Sequence, residues 1–385
     1  MLALRLARGT HPLILLRRLL VAAASAGVGL LLLCTLGYAV DHPSGSVLRL
    51  LWCAVPLAAA VHFAVAVART DPSTRPRKGL SAVGLGPARL TAIATASTAV
   101  ACTLGSAVAL VTYLHLRGDV TGLPFDGSAA GLLAADRPMP LAGALTLLTI
   151  LPVSAWAAAG FALRPHARRP ADTSDPVHPD EPAPAPSGLP WGVTLVAAGL
   201  AVESYLSRGA ADSALPMPGH AQASPAGVLA GWALTALGLA VAGPGLAHFS
   251  GWLLQMARPG AARLLAGRVL MAEARRIGRP LGVVSAVASG AIAVVTLYGG
   301  RGPHPFGPLT GLGAALVMSC TMATLLTAAL ESRHARAETT AVLLSLGAPA
   351  KLLLGAAALR ALALLAVFAP LTLVISELAA LPLRG

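Results

Sequence analysis

The 385-residue chain is 56% hydrophobic and 11% charged, with a mean hydropathy of +0.74. Soluble domains carry about 25% charged residues, so composition excludes a soluble globular protein. The net charge of +13 rests on arginine, Lys78 and Lys351 being the only lysines. The arginines cluster at the ends of apolar runs, the positive-inside pattern, and not on one face of a soluble fold as nucleic-acid binding requires.

About 20 apolar residues cross a bilayer, and nine segments of the chain qualify, which predicts an all-α polytopic membrane protein. They are Leu19–Val40, Leu50–Ala68, Thr91–Leu114, Leu141–Leu163, Trp191–Leu206, Gly227–Leu253, Gly282–Gly299, Thr310–Leu330 and Leu352–Glu377. The first has a charged start but no convincing cleavage site, and is read as a retained span instead of a signal peptide.

Placing the N-terminus in the cytoplasm puts Arg5, Arg8, Arg17 and Arg18, the Arg69–Arg89 cluster, Arg164, Arg168 and Arg169 inside. The six arginines from Arg258 to Arg279, and Arg333, Arg336 and Lys351, fall on the same side. The segments left outside hold only Arg49, Arg117, Arg137, Arg208, Arg301 and Arg384. The bias of roughly three or four to one predicts a multi-pass protein of the cell membrane with a cytoplasmic N-terminus. The outside loops are short and rich in Gly, Pro and Ser; the longest, His115 to Pro140, has room for a small cap at most.

Arg164 to Gly188 is Pro-rich, acidic in its later part and without apolar periodicity, as a flexible linker is. The chain accordingly divides into a membrane half of four helices over 1–163, the linker over 164–188, a connecting helix pair over 189–257 and a second half of three helices over 258–385. The two halves look related. Each opens on a segment mixing Arg with Leu, Val and Ala, as a helix lying in the interface does; each continues through two spans, a charged insert and another span. The first insert ends Leu85-Gly86-Pro87-Ala88-Arg89-Leu90, the second Leu346-Gly347-Ala348-Pro349-Ala350-Lys351-Leu352.

The second insert, Glu331 to Leu352, is predicted to be a short amphipathic helix held at the membrane surface. Arg333, Arg336 and Glu338 precede the helix-forming run Ala341–Leu346, and Gly347-Ala348-Pro349 stops it. Ala341-Val342-Leu343-Leu344-Ser345-Leu346-Gly347-Ala348 resembles the cytoplasmic loop of the FtsX-like permease domain of MacB-type ABC transporters. Here Glu338 stands one residue before the family's acidic position, and Leu344 stands where the family often carries arginine. Arg263 to Arg279, with its Arg275-Arg276 pair, is similar to the helix that leads the family's domain into the membrane. Two-copy members usually have ten spans and many have a large extracellular domain; this sequence contains nine spans and no such domain.

The resemblance implies two FtsX-like halves forming the permease subunit of an ABC transporter. A separate cytoplasmic ATPase dimer would dock on the inserts, through Arg333, Arg336, Glu338, Leu346, Gly347 and Ala348 in the second and Leu85, Gly86 and Arg89 in the first. Composition alone fits surface helices tying spans together; the repeat and the resemblance favour coupling. The compact outside loops suggest a hydrophobic cargo reached within the membrane, such as a lipid or a peptide antibiotic, and membrane lipid and a second copy of the chain are further expected partners. The alternative is a non-transporting membrane scaffold or regulator derived from such a permease.

The sequence predicts no enzyme, no cofactor and no metal site. GLGPARL lacks the Lys-Ser/Thr of a phosphate-binding loop, the histidines have no ligand spacing, and the four cysteines lie inside apolar runs. Charges within spans call for a functional hypothesis by default. Arg360, Glu377 and Glu203 all lie toward span ends and are read as interfacial anchors. Gly243-Pro244 and Pro370 are expected to kink their helices.

Overall fold

The computed structural model describes residues 12–41, 46–70, 87–120, 127–130, 133, 138–164, 186–207, 214–216, 223–256, 260–298 and 307–384. Ten helices occur there: α1 (Pro12–Asp41), α2 (Ser46–Trp52), α3 (Ala54–Thr70), α4 (Pro87–Arg117), α5 (Leu141–Ala162), α6 (Gly188–Leu206), α7 (Ala226–Gln255), α8 (Ala261–Tyr298), α9 (Pro308–Ser345) and α10 (Ala350–Arg384). A short antiparallel pair, β1 (Ala214–Pro216) with β2 (Ala223–Pro225), pairs Leu215 with Ser224. Among the described residues nine helical stretches are long and apolar enough to cross a membrane, α2 and α3 sharing the second. The protein is an all-α polytopic membrane protein.

Hydropathy marked the spans but not the helix ends. The seventh apolar segment was expected to follow a separate interfacial helix. Instead α8 runs unbroken through both for 38 residues, about 57 Å at 1.5 Å per residue. α1 likewise carries Arg17 and Arg18 in its opening turns and continues straight into the first span. The second insert is not a separate surface helix either. It is the last part of α9, also 38 residues long. The physical reason is plain: between Gly313 and Gly347 there is neither Gly nor Pro, so nothing breaks the backbone ladder. A hydrocarbon core is about 30 Å thick, so both helices project well beyond it.

The chain forms two compact units. The first holds residues 1–169 and the opening of α9, Phe306–Thr324. Here α1 packs on α3, α4 and α5. Val28, Leu31 and Leu32 of α1 share a core with Phe63 of α3 and Leu151 of α5, and Leu312 and Leu316 of α9 pack against it. Small hydroxyls join the helices: Ser25 Oγ donates to the Cys102 carbonyl at 2.7 Å, and Ser106 Oγ to the Leu148 carbonyl at 3.1 Å. Such bonds and close small-residue contacts hold membrane helices together where lipid removes the hydrophobic drive.

The second unit holds α6, α7, α8, the later part of α9 from Leu325, and α10. Its centre is α7, which packs on α6 along one side and on α8 along another; α10 lies against α8 and α7. Glycines set these distances. A methyl group on Gly199 would meet the Gly231 carbonyl oxygen at 2.7 Å, and one on Gly267 the Gly251 carbonyl oxygen at 2.6 Å. Both Gly243-Pro244 and Pro370 lie within continuous helices. The expected linker falls almost wholly outside the described residues, as do the first eleven residues.

Candidate functional site

The second insert ends in a glycine turn. After Ser345 the backbone turns at Gly347, whose φ is +88°. The Gly347 N–H donates to the Leu344 carbonyl at 3.0 Å and the Ala348 N–H to the Leu343 carbonyl at 3.0 Å. This pair of bonds is the Schellman stop, and glycine alone takes the positive φ without strain. Pro349 follows and α10 starts at Ala350. The stop read from Gly347-Ala348-Pro349 is therefore present, at the tip of a long helix and not on a surface-lying one.

That tip is open. Val342 and Leu346, one turn apart on the same side, are 53% and 78% exposed, and Leu344 is exposed as well. Gly347 is exposed and Ala348 half-buried. Two apolar side chains standing free at the end of a projecting helix form a surface that a protein partner can cover. Arg333 is exposed on the same helix.

Arg336 behaves otherwise. It was expected to face a partner, yet its Nη1 donates to Glu273 Oε2 of α8 at 2.8 Å and its Nη2 to Ser332 Oγ at 3.4 Å. The guanidinium is spent inside the second unit. A second pair, Arg276 of α8 with Glu331 of α9 at 3.9 Å, runs parallel to it. Arg360 of α10, expected to anchor at the interface, stands within electrostatic reach of both Glu273 and Arg336. Glu273 thus pairs with Arg336 of α9 and lies near Arg360 of α10.

Of the remaining expected positions, Arg89 is exposed in the first turn of α4. Leu85 and Gly86 lie outside the described residues, as does the side chain of Glu338, whose backbone is helical.

Glu203 is the clearest departure. Read as an interfacial anchor, it is instead fully buried. Trp232 Nε1 of α7 donates to its Oε1 at 2.6 Å, while Oε2 has no partner among the described residues. The cause is Gly231, whose missing side chain lets the two backbones close over the carboxyl group. Glu203→Gln is expected to shift the thermal midpoint in detergent by no more than about 2 °C, because the amide oxygen still accepts from the indole. Glu203→Leu leaves that N–H unpaired and is expected to cost about 1–3 kcal/mol. Circular dichroism melts of both variants check this; equal losses would mean the indole bond is not what holds the pair. Glu377, by contrast, is exposed near the far end of α10.

Sequence reasoning missed Glu273 and Glu331 as members of the site. Glu273 is the only acid in the arginine-rich stretch from Ala261 to Gly282, a signal that it has an internal partner. Comparison with known proteins adds no assignment: no family model, curated protein or solved structure matches the chain.

Proposed function

We propose that the protein is the permease subunit of an ABC-type transporter in the cell membrane, with its N-terminus in the cytoplasm, driven by a separate cytoplasmic ATPase dimer. The observation that carries this reading is α9 itself. It is an uninterrupted helix that leaves the membrane, ends in the exposed Val342–Leu346 tip, and is tied to α8 through Arg336–Glu273 and Arg276–Glu331. A push on the tip is passed to α8 through these two ion pairs, a local contact converted into a rearrangement. The resemblance of Ala341–Ala348 to the FtsX-like loop supports the same role. So does the parallel between α1 and α8, each leading its half with an arginine-bearing first section.

In this reading Leu346, Val342 and Arg333 touch the ATPase, and Arg336 positions the helix without touching it. The cargo is a hydrophobic molecule such as a lipid or a peptide antibiotic. The short outside loops favour a cargo reached from the lipid phase.

Leu346→Asp places a charge where an apolar contact is buried. It is expected to weaken co-purification with the partner ATPase at least about tenfold, since burying a leucine is worth about 1.5–3 kcal/mol. Loss of ATPase stimulation should accompany it. Wild-type protein that binds the ATPase without altering its turnover would favour the scaffold reading; wild-type protein that does not bind it would end the permease reading.

A further inference from the structure

The face of α8 turned away from α7 and α9 carries an exposed arginine row. On a helix advancing about 100° per residue, Ala266, Gly267, Leu270, Ala274 and Gly278 form one buried face, and Gly267 and Gly278 approach α7 directly. Glu273 and Arg276 point toward α9, as their ion pairs require. Arg268, Arg275 and Arg279 fall within about 40° of one another on the remaining face, and all three are exposed. No ion pair or hydrogen bond engages their side chains among the described residues.

Position along the axis decides what meets them. From Arg279 to Tyr298, the end of α8, is about 29 Å, the thickness of the hydrocarbon core. With Tyr298 at one boundary, Arg279 stands at the other, and Arg275 one turn outward, level with the headgroup phosphates. Charge there is unbalanced. Among the described residues Glu331 pairs with Arg276 and Glu273 with Arg336, and Arg276 and Arg360 are the other cations near Glu273, so neither carboxylate balances Arg275 or Arg279. Arg275 and Arg279 are i,i+4 neighbours, an arrangement that destabilises a helix unless an anion sits between them. Two guanidiniums one turn apart bind phosphate oxygens in the forked geometry arginine favours.

We propose that Arg275 and Arg279 seat the phosphate of an anionic phospholipid at the membrane boundary of α8, with Arg268 extending the same face outward. The lipid holds the first section of α8 upright and so fixes the helix to which α9 is ion-paired. The inference rests on the membrane span of α8 and on its charges, not on ATPase coupling, so either reading survives failure of the other.

The test is retention of lipid by delipidated protein in nonionic detergent, offered phosphatidylglycerol and phosphatidylcholine in equal amounts with identical acyl chains and read by native mass spectrometry. Wild-type protein is expected to keep the anionic lipid about tenfold over the zwitterionic one. Arg275→Gln with Arg279→Gln should bring that preference close to one, while Arg263→Gln, on a different face of α8, leaves it unchanged. Glutamine preserves helix propensity; should the double variant nevertheless fail to fold, Arg275→Lys with Arg279→Lys keeps the charge and should retain the preference in part. Absence of preference in the wild type, or a double glutamine variant indistinguishable from it, overturns the proposal. So does displacement of the lipid by millimolar inorganic phosphate, which would mark a site for free anions. A double variant that keeps its lipid but loses an acidic protein partner overturns it as well.

Discussion

Gly243→Leu is expected to abolish folding of the second unit. A side chain at Gly243 of α7 runs into the carbonyl oxygen of Gly278 on α8 and would lie 3.1 Å from the Gly282 Cα. The approach is reciprocal: a methyl at Gly278 meets the Cα of Pro244, and one at Gly282 meets the Leu239 carbonyl. Backbone faces backbone at all three positions, so no rotamer change relieves the clash, and the helices must separate. Overpacking a core costs about 1–3 kcal/mol when side chains can yield, and more when they cannot; here at least about 3 kcal/mol is expected. Separation also removes the dispersion contacts that hold lipid-immersed helices together. Gly290 and Gly355 supply the control, because a methyl at either meets nothing within 4 Å. Gly290→Leu and Gly355→Leu are expected to be neutral or to stabilise by about 0.5–1 kcal/mol through helix propensity. Fluorescence-detected size exclusion and thermal melts in detergent distinguish the cases. A monodisperse Gly243→Leu protein with a wild-type midpoint would mean that α7 and α8 do not approach so closely.

The nine spans were readable because a bilayer demands about 20 apolar residues and tolerates few alternatives. The helix end at Gly347 was readable for a local reason as well, since the positive φ of a Schellman stop selects glycine. Helix length was another matter. Hydropathy reports where lipid begins, whereas α9 continues past that point because residues such as Ala, Leu, Arg and Glu sustain a helix in water as well as in lipid, and α8 does so with Pro280 inside it. The absence of any breaker from 314 to 346 carried that information, but a charged stretch invites division at the membrane boundary.

Partners were the least readable. Arg336 looks like an outward-facing charge on its own helix, and its carboxylate lies 63 residues away on α8. Glu203 stands near a span end by count, and only the close approach of Gly231 on α7 converts it into a buried group bonded to Trp232. Both facts depend on which helix faces which, and no periodicity within one segment encodes that.

Arg336→Glu is expected to be the most damaging single change at the projecting end, and Glu273→Arg is expected to repair it. The single variant sets two carboxylates where an ion pair with a 2.8 Å contact stood, with side chains only 24% and 14% exposed. Pairs at a fully exposed surface are worth about 0–1 kcal/mol, and breaking a fully buried one costs about 3–5. This partly covered pair falls between, at about 2–3 kcal/mol. Glu273→Arg alone is expected to be nearly as harmful, because it crowds a new cation against Arg336, Arg276 and Arg360, all within its electrostatic reach. The reversed pair restores the contact and leaves Arg360 with one acidic and one basic neighbour, as before. A double-mutant cycle on thermal midpoints should then return a coupling energy of at least about 2 kcal/mol, shrinking at high salt as screening takes hold. The same four proteins separate positioning from contact at the ATPase. If Arg336 only holds α9 in place, the reversed pair recovers ATPase stimulation together with stability. Recovery of stability without recovery of stimulation would mean that the guanidinium itself meets the partner.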